Sequence, residues 1–236
     1  MTNARISGAT LIVTSLGFVA VFSHLAMHFG YPDVLGGSAD HVLPALAAGG
    51  ERMRAVWAVY ALLPSGIAVA ATLVFPLLRQ RGETRARLGL IAAIVASIAM
   101  TAGLLRWPTI QYLWAERFVA AGPDEQRTLA TLFDAANLFL GTVTGEFIGE
   151  LCLSSWFLTL SAALLRGVGT WRWPGYLGLV TAASMAVGAF RNVTNVVEPS
   201  AALNNSLLPI WLLALGATLL ATNGEGYTPP HVRMVA

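Results

Sequence analysis

Two carboxylates four residues apart, Glu146 and Glu150, lie in the stretch GTVTGEFIGE, inside an apolar run that continues to Leu165. That spacing puts both on one face of a helix, where they suit general acid or base chemistry, pairing with arginine, or metal ligation. A carboxyl group at membrane depth is costly and persists only where a partner or a wet cavity receives it, so the pair is a site candidate. His24 and His28 repeat the spacing near the end of the first apolar run. Two imidazoles with two carboxylates make a ligand set for a divalent metal such as zinc or iron, although no H-E-x-x-H or E-x-x-H motif is present. Arg106 and Arg191 are the cations expected to pair with Glu146 and Glu150, because an unpaired charge inside a bundle is strongly destabilising and guanidinium suits bidentate carboxylate contact. Asn195, one turn beyond Arg191, joins Arg106, Glu146, Glu150 and Arg191 as an expected ligand-binding residue.

These residues need membrane helices to position them. Of the 236 residues, 56% are hydrophobic and 11% charged, against a charged share of about 25% in soluble domains. The reading is an all-α, multi-pass transmembrane bundle of about six spans with interfacial helices on its outer face. Residues 1–224 form one domain and 225–236 a short cytoplasmic tail. The spans are expected at about Ile6–His28, Met53–Leu78 with a kink at Pro64, Arg87–Arg106, a helix reaching Leu165, Pro174–Asn195 and Ser206–Thr222. Trp57 and Tyr60 suit an interfacial aromatic belt. VLPALAA and PTIQYLWAERFVAAG read as interfacial helices, and the long stretch from Asp124 to Leu165 as two halves joined near Gly141.

Gly141, Gly145 and Gly149 form a bare stripe that lets a neighbouring backbone approach, including that of a second copy in a homo-oligomer. Thr181, Ser184, Gly188, Arg191, Asn195 and Glu198 form one polar seam of the fifth span.

Composition also excludes functions. All fourteen basic residues are arginine, so a lysine Schiff base is ruled out. The basic residues are spread along loops, which argues against a nucleic-acid partner; the expected partners are the bilayer and a small-molecule or lipid ligand. No phosphate-binding loop, dinucleotide fingerprint, serine elbow or CxxC is present. The lone Cys152 forms no internal disulfide and suits packing. Arg79, Arg81, Arg85 and Arg87 crowd one short loop, which orients that loop, and with it both termini, to the cytoplasm.

YPDVL after the first span, LPALAAGG before the second, DAANLFLG leading into GEFIGE, and the closing NNSLLPIWLLALG together resemble a bacterial family of six-span membrane proteins built on a domain of unknown function. The resemblance runs from about Ile6 to Ala221 and implies a six-helix inner-membrane protein. It transfers no substrate, cofactor or catalytic residue. The functional expectation is an outer-leaflet polar pocket that binds, senses or transports a small ligand, ion or lipid. The alternative is a membrane-embedded enzyme acting on a lipid-like or isoprenoid substrate, with Glu146 or Glu150 as its acid or base. A purely structural role, with the Arg and Glu residues as a helix clamp, is the third reading.

Overall fold

A computed structural model describes residues 2–167 and 171–222. The expected tail 225–236, with Arg233, and the helix end at Asn223 and Gly224 lie outside the described residues. Among those described, every regular element is helical.

The first span, α1 (Asn3–Phe29), starts on Thr2, whose hydroxyl accepts from the Arg5 N–H, and stops at Gly30 in the left-handed conformation, φ 68°. A short 3-10 turn, Asp33–Gly36, leads into α2 (Ala39–Leu62). Gly50, at φ 57° and ψ −158°, breaks α2 and separates the VLPALAA segment, which is helical, from the spanning part. Pro64 divides α2 from α3 (Ser65–Arg79), as its missing N–H demands. Ser97 of the following α4 (Glu83–Leu105) donates to the Pro64 carbonyl at 2.8 Å. After α4 come a π-helical turn, Trp107–Gln111, and α5 (Tyr112–Phe118). Then α6 (Pro123–Ala136) widens into a second π segment, Asn137–Ile148, before α7 (Gly149–Leu165). The described residues close with α8 (Trp173–Gly188), two 3-10 turns (Ala189–Asn192 and Asn195–Val197) and α9 (Glu198–Ala221).

Among the described residues, five stretches are long and apolar enough to cross a membrane: Asn3–Phe29, Ala39–Arg79, Glu83–Phe118, Pro123–Leu165 and Asn195–Ala221. The 16 residues of α8 reach about 24 Å at the helical rise, and α8 packs between α7 and α9 as the remaining wall. The spanning helices form a closed ring in chain order: α1 on α3, α3 on α4, α4 on α7, α7 on α8, α8 on α9, and α9 back on α1. Gly8 and Gly216 meet where α1 crosses α9. Inside the ring lie Leu11, Ile67, Leu153, Trp156, Phe157, Trp211 and Leu215, all essentially without solvent access, and Cys152 packs against this core. The outer surface is apolar too: Val13 is 69% and Ile98 65% exposed, as lipid-facing side chains are.

A second core caps one end of the ring, where the first half of α2, the loop after α1, α5 and α6 converge. At its centre the Trp57 and Trp107 rings stack 4.6 Å apart and 12° from parallel, with Phe29 and Tyr31 edge-on to Trp57 and Phe133 edge-on to Trp107. The interfacial belt expected of Trp57 and Tyr60 is therefore corrected: both are buried in the cap core. Burying an indole against other rings gains more apolar contact than a headgroup position offers. Two boundaries also move. The fifth span ends at Gly188 rather than Asn195, and α9 starts at Glu198 rather than Ser206, with Pro199 in its first turn.

Candidate functional site

The polar residues gather where the ring meets its cap. Two π-helical segments carry most of them. In the first, the Gln111 N–H reaches back five residues to the Arg106 carbonyl at 2.9 Å. Pro108 lacks the N–H that a regular ladder would use there. In the second, the Thr144 hydroxyl bonds to the Phe139 carbonyl five residues back at 2.8 Å. π segments are rare and recur at functional sites, because the extra residue per turn re-aims side chains that a regular helix would space evenly.

Glu146 projects from the second π segment and Glu150 from the first turn of α7, and both meet Arg191 on the 3-10 turn after α8. Arg191 Nε donates to Glu146 Oε2 at 3.0 Å. Its Nη1 donates to Glu150 Oε2 at 3.0 Å and its Nη2 to Glu150 Oε1 at 2.9 Å, a bidentate fork. Nη1 also reaches the Gly188 carbonyl at 3.2 Å, the carbonyl exposed where α8 stops. Of the expected pairing of Arg106 and Arg191 with the two glutamates, the Arg191 half is present, and it takes both carboxylates.

Arg106 differs from its expected role. It is 5% exposed, and it makes no ion pair with Glu146 or Glu150. Its Nε donates to Asn137 Oδ1 at 3.0 Å and its Nη1 to the Gly103 carbonyl. Gln111 Nε2 donates to the same Asn137 oxygen at 2.7 Å. The guanidinium also lies over the Trp107 ring, 5.2 Å from its centroid. The physical reason is register: α4 passes Gly149 and Gly145 and brings Arg106 level with Gly141, one turn beyond Glu146, where the π segment presents Asn137 to the guanidinium instead.

Tyr31 completes the cluster. Its phenol is within electrostatic reach of Glu146, Arg106 and Arg191 and adjoins Tyr60. Burial pushes its pKa up and Glu146 adds to that, against the opposing influence of Tyr60 and the two arginines, so it remains a neutral hydroxyl at physiological pH.

The glycine stripe explains how α4 and the second π segment come so close. A Cβ on Gly103 would lie 2.8 Å from the Gly145 Cα, and one on Gly141 would lie 2.7 Å from Arg106 Nη2. The stripe Gly141, Gly145 and Gly149 thus packs on α4 of the same chain rather than facing outward.

Other candidates fall elsewhere. His24 and His28 stack on the surface of α1 with centroids 4.3 Å apart, and His28 Nδ1 donates to the His24 carbonyl at 2.9 Å. Among the described residues no three His, Cys, Asp or Glu side chains come together, so the imidazoles and carboxylates are not assembled into one metal site. Asn195 is exposed in its own 3-10 turn and does not join the cluster. The polar seam of the fifth span divides: Ser184 and Ser200 bind each other across α8 and α9, with Ser200 Oγ donating to the Ser184 carbonyl at 2.9 Å, while Arg191 turns to the glutamates.

Sequence reasoning missed Tyr31 and Gln111 and left Asn137 outside the site. The available signal was YPD directly after the first span, a tyrosine held at the mouth of the bundle by the Gly30 stop.

A closed helical ring with an apolar exterior and an ion-paired cluster beneath a cap is a multi-pass integral membrane protein. The chain belongs to the family described as "Domain of unknown function (DUF4386)", which it matches over residues 6–216. No curated protein and no solved structure gives a significant match.

Proposed function

We propose that this protein binds a small polar ligand at the cluster of Tyr31, Arg106, Glu146 and Arg191 beneath the cap, and acts in sensing or transport. The observation that carries this reading is the asymmetry of the two arginines. Arg191 is satisfied by both carboxylates, while Arg106 is buried with only neutral partners, Asn137 and a backbone carbonyl. A buried guanidinium without a counter-charge in contact is strongly unfavourable unless something else completes it. The enzyme reading with Glu150 as acid or base is less well supported, because one guanidinium engages both Glu150 oxygens and leaves neither turned to a substrate.

The arginine loop supports an orientation in a bacterial inner membrane. Arg79, Arg81, Arg85 and Arg87 lie at the end of the ring away from the cap, beside the loop that follows α7, where Arg81 donates to the Arg166 carbonyl at 2.8 Å. With that end and both termini in the cytoplasm, the ligand site opens towards the outer leaflet.

The test is native mass spectrometry of the purified protein from membranes that also express the Arg106→Gln variant. A species carried by wild type and lost from Arg106→Gln supports the site. Equal content in both, with equal stability, sinks it.

A further inference from the structure

The charges beneath the cap are sorted into two poles. Glu146 and Glu150 share one arginine, Arg191, so that group carries one net negative charge. Arg106 supplies the balancing positive charge from the end of α4, out of ion-pair range of Glu146 and held by Asn137 instead. Each pole is incomplete. At the negative one, Glu146 gives Oε2 to Arg191 while its Oε1 has no donor among the described residues, and the side chain is 28% exposed. At the positive one, Arg106 Nη2 has no acceptor among the described residues. Nearby, Gln111 Oε1 and Trp107 Nε1 are fully buried without a partner, and Gln111 is itself tied to Arg106 through Asn137. The Tyr31 phenol interacts with both poles.

A site of this kind selects by charge distribution. A ligand with net negative charge meets Arg106 but is opposed by the Glu146–Glu150 pair, and one with net positive charge meets the reverse conflict. A molecule that carries both charges satisfies both poles and enters a low-dielectric region without net charge.

We propose that the ligand is a zwitterion, its oxyanion on Arg106 and its primary ammonium on Glu146. This rests on the reading that the cluster binds a ligand at all. The chemistry is shared by a free amino acid and by an ethanolamine phospholipid headgroup.

The experiment uses the full chain in detergent and follows its thermal unfolding by tryptophan fluorescence. The probes are leucine, glycerophosphoethanolamine and phosphatidylethanolamine, each against an analogue lacking one charge: 4-methylpentanoate, glycerol phosphate, ethanolamine and phosphatidylglycerol. At least one zwitterion is expected to bind about tenfold or more tightly than its one-charge analogues, the value of one charge-assisted hydrogen bond. Binding of phosphatidylethanolamine alone assigns the lipid source, and binding of leucine the soluble one. Glu146→Gln is expected to abolish the preference for the ammonium while retaining oxyanion binding, and Arg106→Gln to do the converse. A clamp that merely holds helices together would shift stability in both variants without changing either preference. Should Arg106→Gln fail to fold, the wild-type analogue series and Arg106→Lys, which keeps the charge, still decide. Equal binding of anion and zwitterion overturns the zwitterion while the ligand site stands. No binding by any probe, with both variants indistinguishable from wild type, overturns both.

Discussion

Arg191 and Glu150 form a two-point contact, with Nη1 on Oε2 at 3.0 Å and Nη2 on Oε1 at 2.9 Å. It ties the 3-10 turn after α8 to the first turn of α7, both at the cap end of the ring. With side chains 23% and 15% exposed, the pair sits where losing Arg191 strands Glu150, and Glu146 with it.

Arg191→Ala is therefore expected to destabilise the protein by about 3 kcal/mol, the typical cost of orphaning a buried charge. In a protein of this size that lowers the unfolding temperature by roughly 6–12 °C. Replacing Arg191 and both glutamates with methionine should recover most of the loss. A single variant as stable as wild type, by fluorescence-detected unfolding, would show that the contact holds nothing together.

Gly103→Ala and Gly141→Ala separate backbone crowding from side-chain crowding. The new methyl at position 103 meets the Gly145 backbone, which has no way to yield, whereas the one at position 141 meets the far end of Arg106. Overpacking of this kind costs about 1–3 kcal/mol, with Gly103→Ala at the upper end. Gly141→Ala should keep most stability and lose ligand binding, because it displaces the guanidinium. The opposite ranking in thermal unfolding would contradict the packing described.

Asn204 on α9 is buried, and neither atom of its amide has a hydrogen-bond partner among the described residues. Removing an unpaired buried amide relieves a desolvation cost of about 1–3 kcal/mol, so Asn204→Leu is expected to raise the unfolding temperature by a few degrees. A fall instead would mean that the amide is completed in the membrane by water or another group.

Orientation is checked by labelling. In a Cys152→Ser background, Gly82→Cys places a thiol in the arginine loop and Gly122→Cys one between α5 and α6. An impermeant maleimide added to spheroplasts should modify the second and spare the first until the membrane is opened. The reverse pattern would turn the bundle over.

Much of this architecture is written in local sequence. Pro64, Gly30 and the Pro123 helix start act on the backbone at their own positions, so the breaks they cause are readable without a partner. The Glu146–Arg191 and Glu150–Arg191 pairs were also legible, since a charge in an apolar run has few ways to be satisfied. Asn137 and Tyr31 were not, because their roles depend on register. The π segment shifts every following side chain relative to a regular helix, and no spacing in Asn137–Ile148 announces it. Trp57 was misplaced for a related reason: an aromatic near a span end suits a lipid interface and a buried cap equally until the neighbouring Trp107 is known to stack on it.

The ring order of the helices also bears on how the protein is made. Each span leans on the one synthesised just before it, so insertion builds a curved wall one hairpin at a time. The contact between α1 and α9 joins the earliest and latest of the described spans. Until Gly216 reaches Gly8, the wall has two open edges and α1 stands with one flank unclaimed. That seam is where an insertion chaperone, or a neighbouring unfinished copy, would find its opportunity.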